Sequence, residues 1–108
     1  MSTSFINRTS KEVGTTAVTM YTTPSNSKAI LIGANIANVS GSTVPFDIYI
    51  TKGGVDYYVV KGHRVTTGNN IEVMKGNKLV LDNDDIVKVK SEIASSIDVT
   101  LSILSGVT

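Results

Sequence analysis

A chain of 108 residues with 10 Lys and Arg against 9 Asp and Glu, a net charge of +1 and no cysteine is sized for one hydrophobic core without disulfide or metal staples. Its near-neutral charge offers no field to gather nucleic acid or anionic lipid, and the missing cysteines remove thiol nucleophiles, thiolate metal sites and a disulfide framework. No apolar run approaches the roughly eighteen residues of a membrane span, and the first residues lack the basic and apolar regions of a secretory signal. The expectation is a soluble protein, not exported by the usual route, with neither nucleic acid nor membrane as partner.

Val, Ile and Thr supply 38 residues, and β-branched side chains fit a pleated, half-buried surface better than a helix. Ser and Thr number 25, but the regular aliphatic spacing between them allows enough burial to fold. In chain order, residues 1–13 read as an N-terminal arm in which Phe5 and Ile6 interrupt a polar run containing Arg8, Lys11 and Glu12. Residues 16–22 alternate Val18 and Met20 against Thr19 and Tyr21, the period of a strand with one buried face. Residues 23–27, Thr-Pro-Ser-Asn-Ser, are a turn. Residues 28–39 then place Ile30, Ile32, Ala34 and Ile36 on one face, with Leu31, Gly33, Asn35 and Ala37 on the other.

After a loop at 40–45, Phe46, Ile48 and Ile50 resume the alternation, and Gly53 and Gly54 mark a tight hairpin into a strand at 55–61. A polar connection follows, with Gly62, His63, Arg64, Gly68, Asn69 and Asn70, before the short run 71–74 and a turn at Lys75, Gly76 and Asn77. Leu79 and Leu81 enter an acidic cluster of Asp82, Asp84 and Asp85; residues 86–90 leave it; Ile97, Val99, Leu101 and Ile103 form a last strand. Seven or eight short strands at this spacing, without helical periodicity, predict a single antiparallel β-sandwich of jelly-roll kind over residues 14–108, preceded by the arm.

The acidic cluster is the densest chemistry in the chain. Asp82 and Asp84 match the first and third places of a calcium loop, but Val87 stands where that loop needs glycine and Ile93 where it needs a bidentate glutamate. As a turn the cluster makes sense, because Asp and Asn tolerate left-handed backbone and bond locally. His63, the one histidine, is a candidate base or ligand but has no nucleophile elbow beside it. Neither the Gly pairs nor Lys75-Gly76-Asn77-Lys78 form a phosphate cradle. Tyr57 and Tyr58 point to opposite faces of one strand, so one can pack inward while the other is displayed to a neighbour or a sugar. Asn38-Val39-Ser40 and Asn7-Arg8-Thr9 match the glycosylation triplet, which matters only in a eukaryotic secretory setting. No catalytic residue, cofactor site or metal site is expected. The interface candidates are Phe5, Ile6, Arg8, Tyr57, Tyr58, His63 and Arg64.

Two stretches carry a resemblance. Tyr21, Thr22, Thr23 and Pro24, followed by the aliphatic strand Ala29, Ile30, Leu31 and Ile32, then Ala34-Asn35 and the Ser40-Gly41-Ser42 loop, resemble a pattern recurrent in small tailed-phage virion proteins. Lys78 to Leu81, the acidic turn, Ile86 to Val89 and the strand around Val99 are similar to the closing half of that pattern. The resemblance implies a non-enzymatic virion component assembled in the host cytoplasm. Its first form is a capsid decoration (cement) protein that bridges subunits of the major capsid protein as a homo-oligomer, a trimer in preference. Tail or baseplate accessory and carbohydrate-binding modules are the alternatives. Residues 52–77 have no counterpart in the pattern, so it assigns them no ligand.

Overall fold

The computed structural model describes residues 3–107, and among them there are nine strands and no helix. The strands are β1 Ser4–Val13, β2 Val18–Thr22, β3 Lys28–Asn38, β4 Val44–Lys52, β5 Val55–Val65, β6 Asn70–Glu72, β7 Leu79–Leu81, β8 Ile86–Ser91 and β9 Ile97–Val107. One sheet runs β1-β9-β3, with β6 and β7 lying end to end along the far edge of β3; the other runs β2-β8-β4-β5. Every pairing is antiparallel. The chain rolls up from its ends, first strand beside last and second beside eighth, which is the jelly-roll arrangement of a two-layer sandwich.

Leu31, Ala34, Ile36, Leu101 and Ile103 of the first sheet and Phe46, Ile48, Val87 and Val89 of the second are fully buried between the layers. The predicted strands are all present, and a ninth comes from the segment expected as an arm. Residues 4–10 pair with β9 in unbroken register, Ser4 opposite Ser105 through Ser10 opposite Val99, and Val13 reaches the core after a bulge. The first two residues lie outside the described ones.

Bulges account for the other differences. In β3 the register shifts between Leu31 and Gly33, so the face expected to carry Ile30, Ile32, Ala34 and Ile36 divides: Ala34 and Ile36 are buried with Leu31, while Ile30 and Ile32 turn outward. One extra residue reverses the side to which every later side chain points. In β5 the strand continues through residues expected as a polar connection. Gly62 adopts φ 64° at an irregularity opposite Asp47, whose Oδ1 accepts the Gly62 amide at 2.8 Å, and His63, Arg64 and Val65 then pair with Phe46, Pro45 and Val44.

The hairpin expected at Gly53 and Gly54 joins β4 to β5, with φ of 56° and 83° as a type I′ turn requires. Gly14 matters for a different reason. A Cβ there would lie 3.0 Å from the Ser95 amide nitrogen, because the β1–β2 connection passes directly over the 93–96 turn. Ser91 and Ser96 close that contact from inside: their hydroxyls are 2.7 Å apart and both reach carbonyl oxygens of Val13 and Ile93.

Candidate interaction surfaces

The acidic corner is a turn that locks three segments. Asp84 takes φ 69°, the Asp85 amide donates to the Asp82 carbonyl at 3.1 Å, and across to the 23–27 turn the Thr23 amide donates to the Asp85 carbonyl at 2.8 Å and the Asp84 amide to the Thr23 carbonyl at 3.0 Å. Asp85 is buried; its Oδ2 accepts the Asp82 amide at 2.8 Å and the Lys52 ammonium at 2.5 Å. Asp82 accepts Lys28 at 3.2 Å and Lys52 at 3.3 Å, and Asp84 accepts the Ser25 hydroxyl at 2.7 Å. The hydrogen bond from Lys28 holds the Asp82 carboxyl below its ordinary value, with Lys52 adding to the effect, and the bond to Asp85 raises the Lys52 ammonium. Two lysines, the Asp82 amide and the Ser25 hydroxyl therefore occupy carboxylate oxygens that a cation would need. Among the described residues, no three of His, Asp and Glu converge on a point that could hold a metal ion.

His63 lies at the margin of the sandwich, its ring edge-on to Phe46 at 5.6 Å. It shares a cleft of about 140 Å³ with Val60, Ile71, Glu72, Val73 and Lys75. Both Glu72 oxygens are engaged by backbone, accepting the Ala34 amide at 3.1 and 3.0 Å and the Met74 amide at 2.8 Å. This carboxylate anchors the short strand β6 instead of orienting an imidazole. Arg64 is exposed opposite Pro45.

Tyr57 and Tyr58 are both largely exposed, at 55% and 44%, because β5 is the outer strand of its sheet and no long strand faces it. Tyr57 stands on the Ile50 side. Tyr58 stands on the opposite face, its ring 5.2 Å from the Tyr49 ring and capped by the Lys61 ammonium at 4.4 Å. Tyr58 is thus braced by Tyr49 and Lys61 while much of it stays exposed. On β1, Ile6 packs partly into the core, and Arg8 turns back over the Tyr21 ring at 5.5 Å while donating to the Asn7 carbonyl. Phe5 is left 77% exposed.

The seven interface candidates thus fall into two groups at opposite margins, Phe5, Ile6 and Arg8 on β1 and Tyr57, Tyr58, His63 and Arg64 on β5. Sequence reasoning missed the residues beside Phe5. The registers Phe5 with Leu104, Leu104 with Ile30 and Ile30 with Val80 put four apolar side chains in one row across β1, β9, β3 and β7. The signal for them is the adjacent apolar pairs and triplets, Phe5-Ile6, Ile30-Leu31-Ile32, Leu79-Val80-Leu81 and Ile103-Leu104, where a one-faced strand should alternate. The glycosylation triplet at Asn38 is corrected by burial. Its Nδ2 donates to the Ser42 and Val65 carbonyls and its Oδ1 accepts from Ser40, so the amide belongs to the 39–43 loop.

No family model matches the chain, and no curated protein matches it by sequence. Among solved structures it is similar to a chain of the Bacillus endospore appendages, which form disulfide-linked pili. The TM-score is 0.53 and the identity 18%, over 99% of this chain and 87% of that one. The likeness is one of fold; this chain has no cysteine with which to make such a link.

Proposed function

We propose that the protein is a non-enzymatic structural subunit that works by packing against neighbours in a repeated assembly. One observation carries this reading: the carboxylates of Glu72, Asp82, Asp84 and Asp85 are engaged within the fold, while Phe5, Val80, Val55, Tyr57 and Tyr58 are held out from it at more than 40% exposure. Exposed apolar groups at separate margins suit contacts with more than one neighbour. Within this class the phage-like sequence pattern favours a virion role, first as a capsid decoration protein seated on the major capsid protein as a homo-oligomer, a trimer in preference, and second as a tail or baseplate accessory. Decoration would strengthen a shell through added buried area, at roughly 25 cal/mol per Å² of apolar surface before ordering costs, and no bond would be made or broken. A second reading, a subunit of a bacterial surface appendage, is favoured by the likeness to the endospore pilus chain. Assembly would then rest on non-covalent contacts, since the cross-linking residue is missing.

The deciding measurement is where the protein is found and in what number. Quantitative mass spectrometry of purified phage particles from the producing culture should show it as an abundant component, with head placement giving far more copies than tail placement. Recovery in sheared cell-surface filaments would select the appendage reading. A soluble protein found in neither fraction would end both.

A further inference from the structure

We infer that the outer face of the β1-β9-β3-β7 sheet is a self-association surface on which a second copy of this chain docks face to face, centred on the row Phe5, Leu104, Ile30 and Val80. The inference rests on the structural-subunit reading for its biological sense and on the sheet registers for its geometry. The partner row on the inner side, Ile6, Ile103, Leu31 and Leu79, belongs to the core, so both surfaces of this stretch of sheet are apolar. A sheet covered on one side needs only one apolar face. The second is in excess, and at its two ends Phe5 and Val80, 77% and 60% exposed, are not covered by any of the described residues.

Three features select a second copy as the occupant. The first is charge. The next rows on this face are Asn7, Ser102 and Gly33, then Thr9, Thr100 and Asn35; Glu72 joins the second row opposite Asn35, with its carboxylate oxygens held by the Ala34 and Met74 amides. A nucleic acid or an anionic membrane would call for cations here, whereas the amides and hydroxyls of two identical faces can bond to one another. The second is shape. Beside the row, Phe5 and Ile32 wall an open groove of about 350 Å³ whose lining includes Asn7 and Ser102. A two-fold axis lying along the strands sets Phe5 of one copy over Val80 of the other, large against small, and Leu104 over Ile30, and points each Phe5 ring away from its like. The third is area. The described residues extend 44 × 26 Å in their two longer dimensions, an outline wide enough to contain the ~800 Å² per partner of a standard stable interface.

Sedimentation velocity across a concentration series tests this directly. The wild-type protein should pass from monomer to dimer, and F5D or V80D should weaken that association by at least about tenfold with unchanged circular dichroism, as expected for the centre of an interface. Tyr57→Ser, on the other margin, should leave it unaltered. The cysteine-free background allows a check of the stacking, since an oxidised mixture of F5C and V80C protein should yield mainly the mixed F5C–V80C cross-link. A wild-type protein that stays monomeric, a dimer untouched by F5D and V80D, or like-with-like cross-links would overturn the inference. So would a monomer that binds neutral phosphatidylcholine vesicles through Phe5. A dimer that F5D breaks, in a protein absent from particles and filaments, would keep this surface and remove the structural-subunit reading.

Discussion

Val80 and Asp82 are two residues apart, yet they lie in regions that treat their side chains in opposite ways. At the acidic corner each carboxylate has a partner: Asp85 holds Lys52 and the Asp82 amide, Asp82 holds Lys28 and Lys52, and Asp84 holds Ser25. At the apolar row, Val80 and Phe5 are left uncovered by the described residues and stand in solvent. The region that looks reactive is closed, and the region made only of hydrocarbon is open. The proposed role as a packing subunit rests on this contrast between paired carboxylates and exposed hydrocarbon.

The sharpest way to break this contrast is to cut back two neighbours on β7. Leu81 is fully buried, so Leu81→Ala should lower the unfolding free energy by about 3 kcal/mol, mostly transfer plus cavity cost. Val80→Ala next to it should change the stability of the monomer by less than about 0.5 kcal/mol, as surface substitutions do. Urea denaturation of dilute protein measures both; equal losses would mean that Val80 is already covered within one chain. The corner comes next. Asp85→Ala strands the Asp82 amide and leaves Lys52 with only the longer contact to Asp82, so a loss of about 2 kcal/mol is expected, with Asp85→Asn recovering part of it through the retained amide acceptor. If Asp85→Ala is neutral, the corner is decoration on the turn and the comparison fails on that side.

How these two regions read from sequence follows from what periodicity can carry. Alternation located the strands at Phe46, Ile48 and Ile50 and at Ile97 through Ile103, because a two-residue period is a local property of the backbone. The turn at Asp82 to Asp85 was legible for the same reason, since its failures as a calcium loop and its fitness as a turn both lie within a few residues. The bulges at Leu31 to Gly33 and at Gly62 were not legible, because a single extra residue is felt only through the partner strand. Nor was the apolar row, whose four members come from four strands and meet only once the registers are known. The ten-residue strand β1 reads as a detached arm because its pattern is mostly polar; it is held by the β9 ladder, with few buried side chains of its own.

One buried group at the corner is left without a partner, and it sharpens the comparison in the other direction. The Thr23 hydroxyl is fully buried and unbonded, although the Thr23 amide and carbonyl are both engaged by Asp85 and Asp84. Thr23→Val keeps the shape and removes the unsatisfied oxygen, so stability should rise by about 1 kcal/mol, a shift of several degrees in Tm for a domain near this size. A fall in Tm would show that the hydroxyl is bonded in solution, by water or by rearrangement of the turn.

The smallest effect separates the two regions by their response to pH. Asp82 has its pKa lowered from 3.8 by Lys28 and then Lys52, so its contribution to stability is complete above the ordinary carboxylate range and disappears as pH falls through the lowered value. Lys52 is raised from 10.5, chiefly by its bond to Asp85, and Tyr49 is raised from 10.0, chiefly by burial; both contributions are complete below those values and disappear as pH climbs through the raised ones. The urea midpoint should therefore hold a plateau between these limits and decline on each side. Asp82→Asn should flatten the acid limb, Tyr49→Phe part of the alkaline limb, and 1 M salt should shrink the acid limb because the Lys28–Asp82 pair is half-exposed. The four residues of the apolar row carry no titratable side chain, so the dimer dissociation constant should stay level across the plateau and respond to temperature through a negative heat-capacity change instead. A dissociation constant that tracked the titration of Asp82 would place the acidic corner inside the interface and dissolve the division between the two regions.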